Sequence, residues 1–329
     1  MSRDLGLPKN AEGQGLKPLK VSQIGYGAWP LSYDERPPEE EAIAILHQAL
    51  DLGVRLIDTS DAYCLNEGEK HHNEKLIRKA LDSYPDQAVA KQVVVATKGI
   101  CIRPEGRWER VATAAQVAKA IAGSVKALSG GLKPIDLWQV HWCQVQNGSN
   151  ADDKRVPMVT LLEPARQAIF DGQIKYVGLS NCTLEQVEAA MCCLPPGRLI
   201  SVQNRYNMWD RTSERNGVLE FCQKEGLAFL PWSPLGGKDN SGDKGKLRDV
   251  DAFPQLNRIA ADKGCTPEGL TLAYMQAKWP CVQHITSARR LAHLKDTLNS
   301  TSIAVSAEEI AAIDQDGDQG EGMPPWVVE

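Results

Sequence analysis

The chain has 329 residues, 42% of them hydrophobic and 24% charged, with a formal net charge of -5. This is a globular composition with apolar material for a sizeable core, and it lacks the basic surplus of a nucleic-acid binder. MSRDLGLPKN carries no apolar signal core and no run of about 18 apolar residues follows, so no membrane role is expected and the cytoplasm is the expected compartment. The nine cysteines are scattered, odd in number and without a CxxC pair, which fits small core residues in a reducing compartment better than disulfides or a zinc site. On that reading the N-x-S/T triplets at Asn147, Asn181 and Asn299 are chance matches.

Two kinds of segment then alternate. Short β-branched or apolar runs predict buried parallel strands at Ser22–Gly25, Arg55–Asp58, Val93–Lys98, Ile135–His141, Lys175–Ser180, Ser201–Arg205, Ala228–Trp232 and Cys281–Thr286. Helical periodicity fills Glu39–Asp51, Asn73–Leu81, Ala114–Leu128, Pro157–Phe170, Leu184–Met191, Gly217–Glu225 and Leu291–Thr297. Before the last strand the pattern predicts two helices, Gln255–Lys263 and Pro267–Lys278, the second with Thr266 as cap and Pro267 at its first position. A doubly wound sheet would need a Gly-rich phosphate turn after an early strand; GYGAWP lacks the third glycine. The expected fold is a (β/α)8 TIM barrel. A single domain is expected, core about 20–300, with an extra C-terminal helix (SAEEIAAIDQ) and polar tail over 301–329. The Gly-rich insertion over 236–249 follows the seventh strand, where a disordered segment and a mobile lid are both open readings.

In such a barrel the reactive groups sit at the C-terminal strand ends. The strand exits here carry Asp58 with Tyr63 just beyond it, Lys98, His141, the pair Ser180 and Asn181, Gln203, and Trp232 with Ser233. A tyrosine of pKa about 10 is a sluggish acid near neutrality unless a cation stabilises its phenolate. Lysine supplies that cation, and aspartate fixes the ammonium. An imidazole can orient a carbonyl oxygen, so this set suits protonation of an oxygen as charge develops on it. Singly each residue has an ordinary structural role; the four in order at the barrel rim point to chemistry.

LIDTSDAY, VVVATKG, IDLWQVHW, VGLSN, SVQNRYN and PWSPLGG occur in this order along nearly the whole chain, and together they resemble the aldo-keto reductase superfamily. The resemblance implies a catalytic tetrad at Asp58, Tyr63, Lys98 and His141, with Tyr63 as general acid and base, Lys98 and Asp58 tuning it, and His141 orienting substrate. It implies a nicotinamide carboxamide held by Ser180, Asn181 and Gln203, a nicotinamide ring stacked on Trp232, a pyrophosphate wrapped by Ser233, Leu235 and Gly237, and a substrate pocket with Trp29 and Trp142. After the last strand, HITSARRLAHLKDT places Ser287, Arg289, Arg290, His293, Asp296 and Thr297 where the family holds the adenine and 2′-phosphate end. His293 stands where an arginine is frequent, and Thr297 replaces an asparagine. The two arginines favour NADP(H) over NAD(H), because a guanidinium grips phosphate bidentately.

The loops after Tyr63 and after His141 are longer and more polar than the resemblance implies. The expected function is reduction of small carbonyl compounds, pyridoxal-like ones among them, by an NAD(P)H-dependent oxidoreductase. The competing reading is a cofactor-binding, redox-sensing regulatory subunit with little turnover. A metal hydrolase would need several histidine and carboxylate ligands at the rim, yet only His141 of the six histidines falls at a strand exit, and His71–His72 lacks a third ligand by spacing; no metal is expected.

Overall fold

The computed structural model describes residues 2–110, 113–131, 133–143, 156–236, 246–288 and 291–316. Eight parallel strands form one sheet: Ile24–Gly27, Leu56–Asp58, Val94–Gly99, Ile135–Val140, Ile174–Ser180, Leu199–Gln203, Ala228–Phe229 and His284–Thr286. Each pairs with its neighbour in chain order, and the eighth pairs with the first through Ile285↔Gly25. A parallel bridge between Phe229 and Val282 joins the seventh strand to the eighth. It rests on Phe229 N–H donating to Cys281 O at 2.9 Å and Gln283 N–H donating to Phe229 O at 2.8 Å. The sheet closes on itself as the barrel expected from the sequence. The seventh strand is short because Pro231 offers no N–H to continue the ladder; Trp232 regains the sheet only through an isolated bridge to Arg205.

Side chains alternate across a strand, so every second residue enters the barrel in a layer. The lower layers are apolar: Leu56, Val94, Ala96, Leu137, Tyr176, Ile200, Ala228 and Ile285 form one buried cluster. Leu5 and Val21 belong to the same cluster; they come from an antiparallel hairpin, Ser2–Leu5 with Leu19–Ser22, that plugs the barrel floor. One step further up the same strands, Leu56 gives way to Asp58, Ala96 to Lys98, Leu137 to Gln139, and Tyr176 to Gly178 and then Ser180. The barrel's interior turns polar near its C-terminal mouth. Gly178 makes this change possible, since a Cβ there would meet Gln139 Cγ at 2.9 Å and crowd Ser201 Oγ. Outward-facing Ile57 and Val95 pack instead under the helices Glu39–Asp51 and His72–Ser83, with Leu46, Ala49, Leu76 and Ile77.

Helix starts follow their capping chemistry. Thr113, Thr183 and Ser306 each close a capping box, and Thr266 Oγ1 accepts from Gly269 N–H ahead of Pro267–Lys278. The expected C-terminal helix is Ala307–Ile313. Beyond it the buried Asp316 carboxylate accepts the N–H groups of Gln255 and Leu256 at 3.1 and 2.6 Å, serving the first turn of Pro254–Lys263. Among the described residues no helix is long and apolar enough to cross a membrane.

Candidate active site

Asp58 ends the second strand and Lys98 lies one residue before the end of the third. Lys98 is fully buried, and its ammonium donates to Asp58 Oδ1 at 2.6 Å, to Thr59 O at 2.9 Å and to the Tyr63 hydroxyl at 2.9 Å. That uses all three ammonium protons. Asp58 Oδ2 in turn accepts from Gln203 Nε2 at 2.9 Å and Gln139 Nε2 at 3.3 Å. Burying an ion pair is costly unless geometry and further hydrogen bonds are good, and here both partners are saturated. Burial lowers the Lys98 pKa while Asp58 pulls it back up. Burial first, and the Asp58 charge next, push the Tyr63 hydroxyl well above its usual value. Tyr63 therefore stays protonated across the neutral range, with its hydroxyl held against the Lys98 ammonium.

The loop carrying Tyr63 is pinned from below. Asp61 N–H donates to Lys98 O at 2.9 Å and Tyr63 N–H to Ser60 O at 3.2 Å. Thr59 Oγ1 donates to Asn73 Oδ1 at 2.6 Å, while Asn73 Nδ2 reaches Ala28 O at 2.8 Å and Ser32 Oγ at 2.6 Å. Asn73 thus ties the Tyr63 loop, its own helix and the Trp29 segment together. His141 follows the fourth strand, its ring edge-on to Tyr63 with centroids 5.8 Å apart. Its Nδ1 shares a hydrogen bond with Ser60 Oγ at 3.1 Å, and Ser60 Oγ accepts from Ala62 N–H at 3.2 Å. Burial, with Lys98 beside it, holds the imidazole well below its ordinary pKa, so His141 is uncharged in the neutral range.

The structure brings the four expected residues together, Asp58, Lys98 and Tyr63 in one hydrogen-bonded chain and His141 packed edge-on against Tyr63. Beside them Asn181, in the left-handed region at φ 53°, donates from Nδ2 to His141 O at 3.0 Å and to Ser180 Oγ at 3.1 Å. Its Oδ1 accepts from the Trp232 indole at 3.0 Å, which fixes the tilt of a half-buried ring at the rim. Side-chain amides, a hydroxyl and a flat ring beside Tyr63 are a donor set that fits a nicotinamide with its carboxamide. Gln203 has its amide N–H on Asp58. Ser233 adopts φ 51° and its carbonyl takes Gly236 N–H at 3.1 Å, while Leu235 packs against the main core.

The expected adenine end is less available. Ser287 Oγ donates back to Gly27 O at 2.7 Å, Thr297 Oγ1 to His293 O of its own helix at 2.9 Å, and Asp296 Oδ2 accepts from Thr266 Oγ1 at 3.0 Å. His293 is exposed. Asp296 and Thr266 line a cleft of about 770 Å³ with Lys263, Gly264 and Ile303 at the helix tips, away from Tyr63. Gly237, Arg289 and Arg290, the loop over 237–245, the segment 144–155 and the tail over 317–329 lie outside the described residues.

Trp29 stands over Tyr33 with centroids 4.6 Å apart, and Tyr33 stands 6.3 Å from Tyr63. Trp142 is covered by the Arg110 guanidinium at 4.1 Å. The ring on His141 is instead Trp108, edge-on at 5.6 Å. Trp108 sits at the tip of an unexpected hairpin, Cys101–Ile102 with Glu109–Arg110, that follows the third strand. The turn signal RPEGRW was there to be read; a tryptophan 10 residues past Lys98 in chain order simply gives no hint that it folds back over the rim.

Beneath the loop, Asp61 is fully buried, and Lys70 Nζ stands 3.5 Å from its Oδ2 without closing a hydrogen bond. Burial pushes the Asp61 carboxyl up to about 7, with the Glu74 charge behind it and Lys70 opposing. The folded pKa is raised, so the folded chain keeps a proton that the unfolded chain releases. That stability is fully present below the unfolded pKa and is lost as pH rises through the folded value. Asp61→Asn is expected to flatten the decline in Tm of the wild type between about pH 4 and about pH 7. Parallel Tm-against-pH curves for the two proteins would exclude this account.

A sequence profile described as "Aldo/keto reductase family" matches residues 23–317. Pyridoxine 4-dehydrogenase of Escherichia coli is 28% identical over 298 residues, covering 89% of this chain and 94% of the relative. An uncharacterised oxidoreductase of Schizosaccharomyces pombe is 28% identical over 304 residues, covering 91% of this chain and 88% of its own. Among solved structures, the thermostable aldo-keto reductase Tm1743 superposes with a TM-score of 0.73 at 26% identity, covering 96% of this chain and 99% of that one. A silkworm (Bombyx mori) aldo-keto reductase complexed with NADPH superposes at 0.72 with 19% identity, covering 97% and 88%, a likeness of fold. With the profile spanning nearly its whole length, the chain belongs to the aldo/keto reductase family and is an oxidoreductase of that family.

Proposed function

We propose that this protein reduces aldehydes and ketones to alcohols with NADP(H), Tyr63 delivering the proton. One observation carries the reading: the Tyr63 hydroxyl lies 2.9 Å from Lys98 Nζ, which is itself 2.6 Å from Asp58. A nicotinamide bound against Trp232, Ser180 and Asn181 supplies the hydride. The chain's own residues do the rest. His141 Nε2 and the Tyr63 hydroxyl converge on the carbonyl oxygen, and Trp29, Tyr33 and Trp108 flank the approach to it. As negative charge grows on that oxygen, Tyr63 gives up its proton and Lys98 stabilises the phenolate left behind. Asp58, held by Gln139 and Gln203, fixes the ammonium in place. The preference for NADP(H) rests on Arg289 and Arg290 as phosphate ligands. Pyridoxal belongs in the substrate panel because one relative is a pyridoxine 4-dehydrogenase.

The test follows cofactor absorbance for purified protein with NADPH or NADH and a panel of benzaldehydes, short aliphatic aldehydes and pyridoxal. Aldehyde-dependent oxidation of NADPH, faster than that of NADH, is expected. Tight cofactor binding with no turnover of any carbonyl would replace this reading with a redox-sensing regulatory subunit.

A further inference from the structure

Arg103 stands on the short hairpin beyond the third strand, and its side chain is turned inward. The residue is 6% exposed. Its guanidinium lies 5.0 Å from the Tyr33 ring centroid and 4.4 Å from that of Trp108. These two rings, stacked 6.1 Å apart, flank Tyr63 and His141 respectively. The cation is therefore one aromatic ring removed from both the proton donor and the carbonyl-orienting imidazole.

Among the described residues no carboxylate pairs with this guanidinium, and Arg103 Nε is buried without a hydrogen bond. Glu67 is close, but its carboxylate takes the Arg103 backbone N–H at 2.7 Å and pairs with Lys70 at 3.3 Å. The Tyr33 hydroxyl is buried too, with no hydrogen bond of good geometry although the Trp29 indole bears on it. Two aromatic faces return less than a buried, unpaired guanidinium costs. Its natural complement is a planar or tetrahedral oxyanion, which a guanidinium grips with two parallel hydrogen bonds.

We propose that Arg103, with the Tyr33 hydroxyl, is an anion-binding subsite of the substrate pocket, so that the preferred carbonyl compounds carry a carboxylate or phosphate about one aromatic ring away from the reacting carbon. This rests on the reductase reading for its kinetic arm only. The kinetic arm compares kcat/KM for 4-carboxybenzaldehyde, its neutral methyl ester and 4-formylphenyl phosphate, in wild type, Arg103→Met and Arg103→Lys. Wild type is expected to favour an anionic substrate over the ester by about 10- to 100-fold, as for hydrogen bonds to a charged group. Arg103→Met should bring the ratio to about one and Arg103→Lys to an intermediate value, since it keeps charge without the fork. Whichever anion wins tells carboxylate from phosphate. An anion-to-ester ratio near one in wild type, or one unchanged in Arg103→Met, overturns the proposal while leaving ester reduction, and hence the reductase reading, intact. The second arm needs no turnover: saturable quenching of tryptophan fluorescence by an anionic aldehyde, with little by the ester, and weakened in both variants. That quenching without any cofactor oxidation would keep the subsite and remove the reductase; equal quenching by anion and ester would remove the subsite and leave the reductase reading to the kinetic arm.

Discussion

Tyr63→Phe is expected to lower kcat/KM for aldehyde reduction by roughly 10²–10⁴-fold, the span credited to one positioned proton donor. In barrier terms this is about 3–5 kcal/mol, at about 1.4 kcal/mol per tenfold. The substitution is clean. Phenylalanine keeps the ring that contacts Tyr33 and His141, at 6.3 and 5.8 Å, and removes only the hydroxyl. Lys98 retains Asp58 and Thr59 O as partners, so no buried charge is left bare. Cofactor affinity should therefore stay near that of the wild type, and the loss should fall on kcat. His141 cannot take over, because burial keeps it neutral far below its ordinary pKa. The wild-type pH profile should accordingly show no histidine limb in the neutral range. Activity in Tyr63→Phe within a few-fold of wild type would mean that another group, or water, delivers the proton.

How the site came to be legible in the sequence has a physical answer. Asp58, Lys98, His141 and Ser180 each lie at or next to a strand end, and a parallel strand advances about 3.3 Å per residue with side chains alternating. Once eight strands are read, their ends must converge at one mouth. Helix boundaries were equally readable where caps declare them, as at Thr266 and Pro267. Contacts that depend on loop paths were not. The plugging hairpin Ser2–Leu5 shows no apolar alternation and pairs with a strand 14 residues later across a polar turn. Trp108 and Arg103 reach the pocket because a short hairpin folds over the rim, a long-range choice that local pattern does not encode. Gln203 was legible as a rim amide; that its N–H is directed to Asp58 depends on the register shift between Leu199 and Ser201 in its strand. Asn73 looked like an ordinary helix start, and only the fold reveals it as the clamp on three segments.

Lys98→Met should cost activity as heavily as Tyr63→Phe does, and unlike it should also cost stability. The cation it removes is the only one paired with Asp58 among the described residues, a carboxylate 3% exposed. The amides of Gln139 and Gln203 would remain, and two neutral donors do not balance a charge in a dry interior. Breaking a buried pair from one side costs about 3–5 kcal/mol, which denaturant unfolding would register as a lower midpoint at unchanged slope. The double variant Asp58→Asn with Lys98→Met separates the two roles. Asparagine removes the stranded charge, so stability should return most of the way, because replacing both members of a buried pair by neutral groups is often harmless. Activity should not return, since the phenolate of Tyr63 would still lack its cation. A double variant as unstable as the single one would show that Lys98 holds the barrel mouth through Thr59 O and packing rather than through charge. One that recovered activity would remove the ammonium from the proton-transfer step altogether.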